Sequence, residues 1–245
     1  MIPLRDTIPS RRPPVMTWAL IGVNVFIFLI ETTLPPQQLE AVFYWFGLVP
    51  ARYTHPEWAR LVGLPLDTYW PFLTNMFLHG GFAHLLGNMW TLWIFGDNVE
   101  DRMGPFRFLI FYLLCGVVAG LVHSLLNPAS TVPAVGASGA ISGVLGAYFL
   151  LFPRSHIIML FPIFFLPYFF TLPASVYLLF WFLAQFFSGT VALFGPDNVG
   201  GIAWWAHVGG FVAGIVLHRL FLMPAACRRC YPDQFTYRSA WDLPV

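Results

Sequence analysis

Lysine is absent from this chain of 245 residues, and all twelve basic residues are arginine. Charged residues of either sign make up only 9% of it, against about 25% in an average soluble domain. Charge this sparse, beside 58% hydrophobic residues and several apolar runs near span length, excludes an ordinary soluble globule. It reads as a chain that crosses a bilayer repeatedly. A net charge of +1 says nothing about nucleic acid. Three cysteines are too few for a disulfide framework: Cys115 is mid-span, and Cys227 and Cys230 lie in a polar tail without the partners a four-ligand zinc site needs. No Asn-x-Ser/Thr sequon occurs to mark topology. No His-Glu-x-x-His occurs, which removes the usual zinc-hydrolase arrangement. Between Asp101 and Asp197 there is no Asp or Glu at all, so no span there offers a carboxylate pair.

What is present is a series of apolar segments. Six read as spans, at 16–33, 79–95, 106–126, 137–152, 174–188 and 202–222, the fourth and fifth being short for a crossing. The first follows Arg5, Arg11 and Arg12 as a signal peptide would, but no small-x-small cleavage site follows it, so it reads as a retained span. The stretch 156–172 is also apolar, yet Pro162, Pro167 and Pro173 interrupt it. Proline removes a backbone donor and clashes with the preceding turn, and broken backbone is costly against lipid. An interfacial or re-entrant connector is expected there, with a proline-kinked seventh span as the alternative.

Arginine placement decides between them. With six spans and a cytoplasmic N-terminus, ten arginines are cytoplasmic and only Arg52 and Arg60 fall outside. A seventh span would erase that bias. The expected fold class is therefore an all-α polytopic membrane protein. It divides into a cytoplasmic N-terminal segment (1–15), a six-helix membrane-embedded domain (16–222) and a cytoplasmic tail (223–245) expected to be loosely ordered. The first loop, about 35–75, is long. It carries Trp45, Trp58, Tyr69 and Trp70, aromatics that favour the headgroup layer.

Candidate chemistry sits at two span starts. Ser138 lies in Gly136-Ala137-Ser138-Gly139-Ala140, where small neighbours permit close approach and a helix N-terminus offers free N–H groups and a positive dipole end. Taken alone, this is as well explained by small-residue helix packing, with Gly139/Gly143 and Ser138/Ser142/Gly146 in register. His207, in Ala206-His207-Val208-Gly209-Gly210, changes the balance. An imidazole among lipid needs a partner or a task, and the glycines around it, Gly214 included, allow its helix to approach the fourth span closely. A bridging histidine between helices is the plainer reading. A haem pair drawn from His84, His123 and His207 is a further one. If the pair is hydrolytic, it is a Ser–His dyad without the acid that fixes the tautomer in a triad, and slow turnover is expected. His84 and Asn88 are i and i+4 on one helical face. The Asn88 amide could donate to a developing oxyanion or simply bridge two helices, and His79 reads as a structural hydrogen bonder.

Taken together, His79…His84…Asn88, then Gly-Asp-Asn-Val-Glu-Asp-Arg-Met-Gly at 96–104, then Gly136-Ala137-Ser138-Gly139, then Ala206-His207-Val208-Gly209-Gly210 resemble the rhomboid intramembrane serine proteases, in the family's order, over about 17–222. The resemblance implies a six-helix bundle with a water-filled cavity open to the outer side. It implies Ser138 as nucleophile, His207 as general base, and an oxyanion site from His84, Asn88 and the Ser138 backbone, with Gly136 allowing close approach. No cofactor or metal is implied. The implied partners are single-span membrane-protein substrates and the lipid bilayer, not nucleic acid. Substrates would pass the fifth helix, where Trp181, Phe182, Phe186 and Phe187 would line a bulky gate. A bacterial inner membrane is the expected location.

This chain departs from the family twice. Trp70-Pro71 stands where many members have Trp-Arg, and Ser142 stands where some have a Tyr that stacks on the histidine. Two other functions compete: a non-enzymatic relative that escorts transmembrane clients, and a transporter, for which no matching pair of broken helices is visible.

Overall fold

The computed structural model describes residues 2–164, 166–193 and 202–223. Asp197 and the tail with Cys227 and Cys230 lie outside them. Among the described residues ten α-helices form, in chain order α1 (Val15–Thr33), α2 (Pro36–Phe46), α3 (Ala51–Thr54), α4 (Pro56–Leu61), α5 (Pro71–Thr74), α6 (Phe82–Met103), α7 (Pro105–Leu126), α8 (Ser138–Leu151), α9 (Ala174–Leu193) and α10 (Trp204–Phe221). By length and composition α1, α7 and α9 can each cross a bilayer, and α8 is a shorter apolar helix. Helix ends fall within a few residues of those read from hydropathy, except that α6 runs on past 95 to Met103.

The chain is mostly helical but not all-α. Strands β1 (Ile2–Asp6), β2 (His156–Ile163) and β3 (Leu166–Pro173) make an antiparallel sheet in the order β1-β2-β3. The stretch expected to be a broken connector is thus a β-hairpin, and no seventh helix forms there. The prolines explain the choice. Pro162 faces Pro167 near the hairpin tip, beyond the residues of β2 that pair with β1, and Pro167 and Pro173 lie in the edge strand β3. A missing N–H costs little at such places. The N-terminal segment, read as a simple cytoplasmic lead-in, supplies the third strand.

The 96–104 segment is the clamp that holds this end together. Glu100, buried in α6, accepts the main-chain N–H of Met16 at 2.9 Å, that of Thr17 at 2.7 Å and the Thr17 hydroxyl at 2.9 Å. A helix start leaves its first N–H groups without partners, and here a carboxylate from another helix serves them, the favourable sign for the dipole. Asn98 donates to the Asp6 carboxylate at 2.7 Å, and Tyr148 of α8 donates to the same carboxylate. Gly104 then turns the chain into α7 at φ +78°.

α8 occupies the centre, with every residue from Gly139 to Tyr148 buried. Its glycines let α10 lie against its backbone. A methyl added to Gly210 would enter the carbonyl oxygen of Gly139, one on Gly214 that of Gly143, and one on Gly146 that of Phe211. This backbone-to-backbone seam brings the starts of α8 and α10 to one level.

The long first loop folds into α2–α5 around a buried arginine. Arg52 is 0% exposed. Its Nε donates to the Pro65 carbonyl at 2.8 Å and its Nη1 to that of Trp45 at 3.4 Å. The Trp70 indole also donates to the Trp45 carbonyl, at 3.3 Å. Arg52 stood out in sequence only as an exception to the arginine bias; it is the internal brace of the loop, while Pro71 opens α5.

Candidate active site

Ser138 is the first residue of α8 and His207 the fourth of α10, about 5 Å down that helix at 1.5 Å per residue. The α8–α10 seam sets them side by side, with His207 Nε2 at 2.8 Å from Ser138 Oγ. The other ring nitrogen, Nδ1, lies 2.8 Å from Oε1 of Gln185 in α9. Ring contacts complete the enclosure. Trp181 lies 5.9 Å from the His207 ring centre, tilted by 35°, and Trp204 presents an edge at 6.4 Å. Ser142, one turn after Ser138, turns back to donate its hydroxyl to the Ser138 carbonyl at 2.6 Å.

His84 and Asn88 meet at Gly136. A Cβ on Gly136 would stand 2.7 Å from His84 Nε2 and 3.5 Å from Asn88 Nδ2, and the glycine itself holds φ +127°, a region side chains rarely adopt. Its N–H donates to the Asn75 carbonyl at 2.8 Å, fixing the bend that leads into Ser138. Asn88 is 8% exposed and its amide nitrogen has no acceptor among the described residues. A buried donor in this condition is costly, and this one stands beside Gly136, two residues before Ser138. As the first residue of α8, Ser138 has a main-chain N–H outside the intrahelical ladder. A cavity of about 20 Å³ adjoins Ser138, bounded by Asn75, His123, Gly136 and Ala206.

His79 is 1% exposed, and neither of its ring nitrogens finds a partner among the described residues. Its main-chain N–H donates to both Glu31 carboxylate oxygens at 3.3 Å, and its ring meets His84 edge-on at 5.3 Å. Its link to the site therefore runs through packing on His84. His123 is buried in α7, with Asn127 Nδ2 3.3 Å from its Nδ1. Among the described residues, no group of three or more His, Cys, Asp or Glu converges as a metal site requires. Of the aromatics assigned to a gate, Trp181 and Phe182 pack inward against His207 and Phe211, and Phe186 meets Trp205 at 5.6 Å. Phe187 is 70% exposed and points away.

Sequence reading passed over Gln185, Trp204 and the hydroxyl contact of Ser142. Gln185 did leave a signal, as a lone carboxamide within an otherwise apolar run. A polar group inside a span is a functional candidate by default.

The Rhomboid domain family matches residues 66–224, a range that includes Ser138, His207, Gln185, His84 and Asn88. Rhomboid protease GluP of Bacillus subtilis (strain 168) is 32% identical over 135 residues, covering 55% of this chain and 24% of that protein. Rhomboid protein 1, mitochondrial, of Saccharomyces cerevisiae is 31% identical over 209 residues, covering 83% and 52%. Presenilin-associated rhomboid-like protein, mitochondrial, of Bos taurus is 31% identical over 204 residues, covering 80% and 46%. The chain thus spans less than two thirds of the length of each of these relatives. With a family match over well more than half its length, this integral membrane protein belongs to the rhomboid family.

Proposed function

We propose that this chain is an intramembrane serine endopeptidase that cleaves transmembrane segments of single-span membrane proteins. The observation that carries the proposal is the 2.8 Å approach of His207 Nε2 to Ser138 Oγ at the start of a buried helix. His207 takes the Ser138 proton as Oγ attacks the scissile carbonyl carbon. The carbonyl oxygen becomes an oxyanion, met by the Asn88 amide, the Ser138 main-chain N–H and the His84 ring. Collapse expels the amine, which takes its proton from His207, and leaves an acyl ester on Ser138. A water then attacks that ester with the same base, returning Ser138 and releasing the acid. Without a carboxylate behind His207, the imidazolium is less stabilised than in a triad, and turnover is slow.

The six long helices serve as six spans, with both termini cytoplasmic by the arginine bias, in what we take to be a bacterial inner membrane. Substrates pass α9, whose aromatic residues are the bulky side of that path. A substrate helix must unwind before attack, because its own hydrogen bonds shield the peptide bond, so small or helix-breaking residues near the cut are favoured. Cleavage of a single-span reporter in proteoliposomes tests the proposal. Wild-type protein cuts it, and Ser138→Ala and His207→Ala do not. Cleavage retained in either variant refutes the assignment.

A further inference from the structure

The buried residues of α9 are Ala174, Leu178, Gln185 and Gly189, a stripe flanked by Trp181 and Phe182, which also pack inward. Gln185 is the one buried polar side chain on that stripe among the described residues. Burying a carboxamide is costly unless it is hydrogen-bonded, and a hydrophobic residue would have packed the same groove more cheaply. The Gln185 oxygen lies 2.8 Å from Nδ1 of His207, whose other nitrogen lies 2.8 Å from Ser138 Oγ. One turn earlier on α9, Trp181 covers the same imidazole. Residues at i and i+4 thus grip one ring, by its edge and by its side.

We infer that Gln185 is a positioning residue for the base: its carboxamide oxygen accepts the Nδ1–H of His207 and so holds the tautomer whose Nε2 lone pair faces Ser138. A neutral imidazole carries its proton on one nitrogen only, and the partner of the other nitrogen decides which. With no Asp or Glu between Asp101 and Asp197, a carboxamide does the orienting that a carboxylate does elsewhere. Because the Gln185 and Trp181 contacts both come from α9, a displacement of α9 removes them from the base, so productive alignment depends on this helix being seated against α10.

This inference rests on the proteolytic reading, and two measurements separate their failures. Nitrogen NMR of ¹⁵N-histidine-labelled protein in detergent reports the His207 tautomer without any reference to activity. Protonation at Nδ1 in the wild type, lost in Gln185→Leu, is the expected result; protonation at Nε2 in the wild type overturns the inference even if cleavage is normal. In the reporter assay, once wild-type cleavage is shown to require Ser138, Gln185→Leu lowers kcat about 10- to 100-fold with KM within about twofold. Gln185→Met, which fills the same groove, replaces it should the leucine variant not fold. Gln185→Glu, which can only accept from Nδ1–H, retains cleavage and moves the acid limb of the pH–rate profile up by about one unit. Unchanged kcat in the apolar variants, or an unmoved pH profile in a folded Gln185→Glu, overturns the inference. Loss of wild-type cleavage would instead sink the protease reading and leave the tautomer result standing.

Discussion

Gly214 of α10 lies so close to Gly143 of α8 that a single methyl on Gly214 would overlap the Gly143 carbonyl oxygen. The two helices meet through their backbones, and that contact sets the spacing between the residues at their starts. Gly214→Ala is therefore expected to push α10 off α8, destabilising the protein by about 1–3 kcal/mol. Through misplacement of His207, cleavage should fall about 100-fold. Gly22→Ala, where an added Cβ meets nothing within 4 Å, is the control and leaves both unchanged. Paired thermal midpoints and cleavage rates of these two variants are the check.

Asn88 carries a buried amide nitrogen with no acceptor among the described residues, beside Gly136, which leads into Ser138. An amide kept for a charge that develops only during reaction acts on kcat and not on substrate affinity. Asn88→Ala should lower kcat about 100-fold with KM little changed and thermal stability equal or slightly raised, since an unsatisfied buried group is removed. A clear fall in stability with unchanged kcat would mark Asn88 as a structural bridge.

Glu100 serves two main-chain N–H groups and a hydroxyl at the start of α1. Glu100→Ala should cost about 2–3 kcal/mol, the scale of lost charge-assisted hydrogen bonds, and should free α1 and the N-terminal strand together. Hydrogen exchange across residues 2–33 would rise in this variant while that of the α8–α10 seam stays low.

Arg52 spans two carbonyls inside the first loop with a planar, forked donor set. Arg52→Lys offers a point charge on a flexible stem and does not replace it. Both Arg52→Lys and Arg52→Met should lower the thermal midpoint and speed proteolytic nicking within residues 35–75, with Arg52→Met the less stable of the two. Equal stability of wild type and Arg52→Met would show that the loop holds itself without this brace.

Much of this architecture can be read from the sequence, because hydropathy, arginine placement and glycine spacing are local properties. The starts of α8 and α10, and the placing of Ser138 and His207 near them, come from such patterns. The features that escape are pairings across the chain. Gln185 meets His207 across 22 residues and Glu100 meets Thr17 across 83; no spacing rule links either pair. The 156–172 stretch escaped for a different reason. Its prolines disfavour a helix, but the third strand from residues 2–6 that completes the sheet comes from the far end of the chain. Arg52 was visible as an anomaly, an arginine on the sparsely charged side, without any sign that it was buried. Around His207, Trp181, Trp204 and Gln185 enclose the ring, and Arg52 braces the first loop beside Trp70.

The central claim is that Ser138 is a nucleophile activated by His207. Intact-protein mass spectrometry after exposure to a fluorophosphonate, followed by peptide mapping, measures it directly. The account predicts one covalent adduct per chain, located on Ser138, that is absent from Ser138→Ala and strongly reduced in folded His207→Ala. An unlabelled wild-type protein, or a Ser138 adduct formed equally fast without His207, would contradict it.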